Sequence, residues 1–256
     1  PELSRGLGDV YKRQGYVGFM ASSAKAASFV VLARLCIVSL GLAIDKFELF
    51  FSAIVVLSIF AGSLFATVQT DMKRLIAYSG VVQSGFILSG MTSGISGTSA
   101  SLFYLAAYLI QLTGIFLIFS VITGELSSDF SMDNLSGLFV ENKFITICFS
   151  IFMLGLAGLP LTSGFVSKFI LITNLWSYEK YILVFALMLS TVVGFYFYLK
   201  PIWVSAIDKP EQAVSKIVLR LSDRLSIGLL AGVTILLGIL PNVLINISRW
   251  VIENYL

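Results

Sequence analysis

The sequence predicts an all-α polytopic membrane helix bundle of about seven transmembrane helices, one of them broken at Gly158–Pro160. Three observations carry this. Of 256 residues, 57% are hydrophobic and 12% charged, with a mean hydropathy of +0.95; a domain bathed in water needs far more charge to cover its surface. Several apolar runs reach the ~20 residues that cross a bilayer as a helix. Strand alternation is absent, which argues against a membrane barrel and leaves helices as the way to satisfy backbone groups in lipid.

The elements follow in order. Residues 1–14, PELSRGLGDVYKRQ, are polar, basic and aperiodic, too polar for a signal peptide. They resemble read-through of a sequencing-library adapter and are expected to be non-native, with the true N-terminal part of the protein lying outside this chain. The bundle is expected over residues 15–250, with a tail at 251–256. Its spans are Gly15–Ile44, Phe47–Val68, Leu75–Thr92, Thr98–Thr123, Phe144–Trp176, Lys180–Lys200 and Leu225–Ile247. Ser131–Leu138 is a short polar link with Asp133 at a cap position. Ala213–Arg224 sets Val214, Ile217, Val218 and Leu221 against Lys216, Arg220 and Arg224, the pattern of a helix on a membrane surface or of an extension of the last span.

The fifth span is much longer than one crossing needs. Its middle, Gly155 to Gly164, holds Pro160 among glycines. Proline removes a donor and clashes with the preceding turn, and glycine permits unwinding. Non-helical backbone is therefore expected within residues 156–164. Broken helices in membranes mark ion sites when protein or water covers them.

Lysine and arginine set the orientation. Lys73 and Arg74, Lys143, and the group Lys200, Lys209, Lys216, Arg220 and Arg224 fall on alternate loops. Lys46, Lys180 and Arg249 fall on the others. The richer set is cytoplasmic, which puts the C-terminus on the far side.

The charge of +3 is too small to point to nucleic acid. There is no histidine, Cys36 and Cys148 form no metal or redox spacing, and no Gly-rich nucleotide loop is present. No metal or cofactor is expected on this chain, and the lipid bilayer is its first partner. Two lysines carry the chemical interest. Lys25 lies about ten residues, roughly 15 Å, inside the first span. Lys168 lies eight residues beyond Pro160. A lysine at mid-membrane costs on the order of 3 kcal/mol, so both are expected to face the bundle interior. In apolar surroundings a lysine gives up its proton more readily than in water. Arg34, nine residues after Lys25, falls on the opposite face. Arginine does not deprotonate, so its role is electrostatic or an ion pair. Ser79 and Gln83, and then Tyr104, Tyr108 and Gln111, form helical stripes that either line a hydrated path or bond helices together. Gly194 to Lys200 reads as an aromatic belt with an anchoring lysine.

These residues carry a resemblance. Gln69-Thr70-Asp71-Met72-Lys73-Arg74-Leu75-Ile76-Ala77-Tyr78-Ser79 is similar to the Q-x-[ND]-x-K-R-x-x-A-Y-S stretch of the antiporter-like subunits of respiratory complex I, the proton-pumping NADH:quinone oxidoreductase. Leu156-Ala157-Gly158-Leu159-Pro160, with Gly164-Phe165 and Lys168-Phe169, resembles their LAGIP…GFxxKF broken helix. Ala24–Ala27 through Leu32–Leu35 resembles the lysine helix, and Gly194–Lys200 the YYYLR segment of the N-type antiporter-like subunits. The resemblance implies the second inverted repeat of such a subunit, with Lys25 as the central-axis lysine and Lys168 as the lysine of the broken helix. It implies proton transport driven by redox chemistry in other subunits. NADH, FMN, iron–sulfur clusters and quinone belong to those subunits, and the other membrane-arm subunits are partners. It also implies a cell inner membrane location. Gln83 departs from the pattern, standing where many members have histidine. A lysine at 168 is also shared with the D-type component of multi-subunit cation/proton antiporters, which is the alternative; a membrane scaffold without transport is another.

Overall fold

The computed structural model describes residues 14–36, 44–123, 130–207 and 219–255. Residues 1–13 of the expected non-native segment and 213–218 of the expected surface helix lie outside them. The described chain is an all-helical bundle. Its α-helices are α1 (Gln14–Arg34), α2 (Ile44–Thr67), α3 (Met72–Met91), α4 (Gly94–Thr123), α5 (Leu138–Glu141), α6 (Lys143–Ala157), α7 (Ser163–Ser177), α8 (Tyr181–Ile207), α9 (Leu221–Ile239) and α10 (Asn242–Tyr255). Among the described residues four helices are long and apolar enough to cross a membrane: Phe47–Thr67, Gly94–Ile122, Tyr181–Ile207 and Leu221–Ile239.

The 30-residue α4 is the hub. It packs against α1, α3, α6, α7, α9 and α10, while α2 lies along α3. The core is apolar, with Phe86, Phe103, Phe119, Phe149 and Phe152 nearly inaccessible. The outer faces are apolar too, with Leu49, Leu57, Ile182 and Val192 exposed. A chain that is apolar inside and out, without a charged shell, is built for lipid.

The Asp71 motif has a local structural reason. Asp71 caps α3 by accepting from Arg74 N at 2.8 Å, and its second oxygen accepts from Phe130 N at 3.2 Å. Met72 N donates to Phe130 O, and Met132 N to Thr70 O. One carboxylate thus starts α3 and pins the segment that follows α4 beneath it. The polar link is a 3₁₀ turn, Met132–Leu135, capped by Ser131. Asp133 is therefore not the cap; its backbone N–H donates to the Ser131 hydroxyl, which is better placed at the extended position before the turn.

The expected fifth span is indeed two helices, α6 and α7, with the backbone between them non-helical. The expected seventh span is corrected. It starts at Leu221, ends at Ile239 and restarts at Asn242. Pro241 lacks the N–H that would continue α9, and Leu240 N is the last to bond back, to Leu236 O at 2.8 Å. Helix α10 then runs through Tyr255, into the segment read as a tail. The α-helical part of the first span ends at Arg34, with Leu35 and Cys36 in a wider π turn; residues 37–43 of that span lie outside the described ones. Helix α8 continues past its expected limit, through Pro201 to Ile207.

Candidate functional site

The last four carbonyls of α6, Leu154 to Ala157, each find a donor. A helix end leaves its last four carbonyls without intrahelical partners, and in a membrane interior each orphan is costly. Gly158 turns left-handed at φ 91°, a conformation that suits glycine. Its N–H and that of Leu159 bond to Leu154 O at 2.9 Å, and Gly158 N also reaches Gly155 O at 3.0 Å. The carbonyls of Leu156 and Ala157 remain. Lys168 Nζ donates to both, at 3.0 and 2.8 Å. It reaches back from α7 over the Gly158 Cα; a Cβ there would lie 2.9 Å from Lys168 Cδ. The lysine is 6% exposed, and Phe86 covers it with its ring centroid 5.1 Å from Nζ. The negative end of the α6 dipole faces the amine. An ammonium has three N–H bonds, and two are engaged here. The third proton can leave while both carbonyls keep a donor.

Helix α7 restarts through Thr162, whose hydroxyl donates to Leu159 O at 2.7 Å and accepts from Phe165 N at 3.4 Å. Leu161, between the two helices, has φ 76°, which for a non-glycine residue costs roughly 1–2 kcal/mol.

Lys25 is held differently. It sits on an unbroken helix, is partly buried, and donates to the Tyr108 hydroxyl at 2.8 Å, with its Nζ 5.0 Å from the centre of that ring. Gly80 on α3 makes the space: a Cβ there would meet Lys25 Nζ at 2.5 Å. Arg34 is exposed further along α1, and no described carboxylate pairs with it.

Between the lysines lie the side chains of the two stripes. Tyr104 donates to Gln83 Oε1. Gln83 Nε2 donates to Tyr198 Oη at 3.0 Å and to Leu156 O at 3.3 Å, the carbonyl that Lys168 also uses. Gln111 donates to Ser163 at 3.0 Å. Gln83, Tyr104, Tyr108 and Gln111 line one cavity of about 10 Å³ with Ser167 and the break itself, room for about one water. Gln83 and Lys168 thus share the Leu156 carbonyl, and the carboxamide offers separate donor and acceptor atoms.

The aromatic-belt reading of Gly194–Lys200 is corrected in part. Tyr196 is exposed, as a belt residue is, but Phe197 and Tyr198 are buried, and Tyr198 joins the Gln83 network. The signal was available: Tyr198 lies four residues beyond Gly194 on the face opposite Tyr196. Sequence reasoning also missed a cavity of about 280 Å³ between α4, α7 and α10, lined by Ser96, Ser99, Thr173, Asn174 and Ile245. Its residues come from helix ends whose proximity no local pattern encodes. Among the described residues no group of three or more His, Cys, Asp or Glu side chains converges, and both cysteines are free and buried.

Known proteins share the fold and the family of this chain. The family model described as NADH:quinone oxidoreductase/Mrp antiporter, transmembrane, matches residues 14–194. NAD(P)H-quinone oxidoreductase subunit 2 of Crocosphaera subtropica is 32% identical over 247 residues, covering 91% of this chain and 47% of the relative. The chloroplastic subunit 2 of Chlorokybus atmophyticus is 31% identical over 245 residues, 91% of this chain and 48% of the relative. The chain thus spans about half the length of the curated relatives it matches. A chain of respiratory complex I from Thermus thermophilus with bound aureothin superposes with a TM-score of 0.79 at 25% identity, over 93% of this chain and 53% of that one. A chain of the Mrp complex from Dietzia sp. DQ12-45-1b gives 0.79 at 19% identity, over 90% and 51%, a likeness of fold.

Proposed function

This chain belongs to the NADH:quinone oxidoreductase/Mrp antiporter transmembrane family, and we propose that it is a proton-translocating membrane subunit of an NADH:quinone oxidoreductase, with Lys168 and Lys25 as its proton-carrying groups. The observation that carries this is Lys168: a buried amine held by the open end of a broken helix, with one N–H left free for transfer. In this reading the chain supplies about seven spans of a larger subunit and forms its second inverted repeat. It lies in the cell inner membrane with its C-terminus on the non-cytoplasmic side. Lys25 receives a proton from the part of the subunit outside this chain. Its charge is felt at Lys168 across a low-dielectric gap bridged by Tyr108, Tyr104 and Gln83. Lys168 releases its proton through water toward the non-cytoplasmic side. NADH, FMN, iron–sulfur clusters and quinone act in partner subunits, whose redox steps change the charge along the membrane arm.

A component of a multi-subunit cation/proton antiporter would share the fold, but identities above 30% to quinone oxidoreductase subunits favour the first reading. The test uses membranes carrying the full-length subunit, with quinone-dependent NADH oxidation and a pH-gradient dye. Lys168→Ala is expected to abolish pumping with the complex assembled. Normal pumping by the assembled variant would refute the assignment and favour a scaffold.

A further inference from the structure

The last turn of α9 touches the α6–α7 break. Leu161 holds its left-handed conformation although its side chain is 70% exposed, so no buried leucine contact keeps it there. The contact is on the backbone. Gly238, three residues before Pro241 on α9, lies against it: a Cβ at 238 would sit 2.6 Å from the carbonyl carbons of Leu161 and Thr162. No real side chain fits at that distance. The loop has little slack on its other side. Gly158 N is bonded to Leu154 O and Thr162 N to Leu159 O, while the Gly158 Cα rests on the Lys168 stem. A displacement at Leu161 therefore travels to Gly158 and to the two carbonyls beside it.

We propose that Gly238 is a positioning residue, a backstop by which the last turn of α9 holds the α6–α7 break in the shape that aims the Leu156 and Ala157 carbonyls at Lys168. This rests on reading Lys168 as a proton carrier. The end of α9 and the α6–α7 break then act as one unit, which the chain order does not suggest.

The test compares two glycines of one helix in the assembled full complex. At Gly232 a Cβ meets nothing within 4 Å, so Gly232→Ala reports the generic effect of alanine on α9. Gly238→Ala is expected to lower the protons moved per NADH oxidised by roughly fivefold at unchanged complex content, with Gly232→Ala at the wild-type ratio. Adding Leu161→Gly, which frees the loop to yield without dragging the carbonyls, is expected to restore about half or more of the loss. Lys168→Ala runs beside them. If it loses pumping while Gly238→Ala matches Gly232→Ala, the backstop is wrong and the proton-carrier reading stands. If Lys168→Ala pumps normally, the reading falls and the backstop with it. If Gly238→Ala lowers pumping only in step with complex content, and Leu161→Gly restores neither, Gly238 is a packing residue and the proposal is overturned.

Discussion

The two lysines solve one problem in opposite ways. Lys168 is buried at a helix break and bound by backbone carbonyls. Lys25 is partly buried on an unbroken helix and bound by a side-chain hydroxyl. A carbonyl at a helix end is fixed by the fold and carries the helix dipole; a tyrosine hydroxyl can turn, and it both accepts and donates. The first arrangement defines where an amine must be. The second leaves the amine a partner that can itself pass a hydrogen bond onward. The same chain thus contains a rigid site and an adaptable one, a turn apart on the α3 and α4 surfaces that carry Gly80 and Gln83, Tyr108 and Tyr104.

If that contrast is right, disturbing the rigid site has the larger effect. Gly158→Val places a β-branched side chain at φ 91° and against the Lys168 stem. Pumping in membrane vesicles is expected to fall by about tenfold or more, and a variant with unaltered pumping would show that the left-handed turn does not matter. Gly80→Ala crowds Lys25 Nζ, but this lysine is held by one hydroxyl where Lys168 is held by two carbonyls. A loss of only about threefold is expected in the same assay, and a loss as severe as at Gly158 would erase the distinction. Tyr108→Phe keeps the ring beside Lys25 and removes one hydrogen bond, a net of about 1 kcal/mol. It should slow pumping less than about fivefold and leave complex content alone.

The smallest effect lies outside the membrane core. Glu141 on α5 has one carboxylate oxygen buried without a partner, and burial pushes this carboxyl above the usual carboxylate range. A raised acid costs stability when ionised. That cost is present above its folded value and vanishes below the ordinary carboxylate range. Glu141→Gln is therefore expected to raise the thermal midpoint of the purified complex slightly at pH 7.5, with no gain at acid pH. A gain that persists in acid would assign the effect to packing instead.

Much of the site was legible in the sequence because the residues that build it break local rules. Lysines in apolar runs, Pro160 among glycines and polar residues at i, i+4 spacing are each costly in lipid unless a partner waits, so each pointed inward. The family pattern then supplied which lysine belongs to which helix. Tyr198 was hidden by its setting, since one buried aromatic among exposed ones reads as a belt. The second break was hidden for a related reason. Leu240–Pro241 follows a long apolar run, and one proline near a span's end is ordinary; only the approach of Gly238 to Leu161, about 77 residues away in sequence, gives it meaning. Orientation rests on charge asymmetry between loops, a statistical rule about insertion rather than about packing.

The central claim is that Lys168 works by holding and releasing a proton, not by its charge alone. The most direct measurement is proton pumping by an assembled complex carrying Lys168→Arg, compared with wild type at equal NADH oxidation capacity. A guanidinium keeps the charge and can bond the Leu156 and Ala157 carbonyls, but it does not give up a proton in a protein. Pumping as low as that of Lys168→Ala is expected. Pumping restored to the wild-type level by arginine would contradict it.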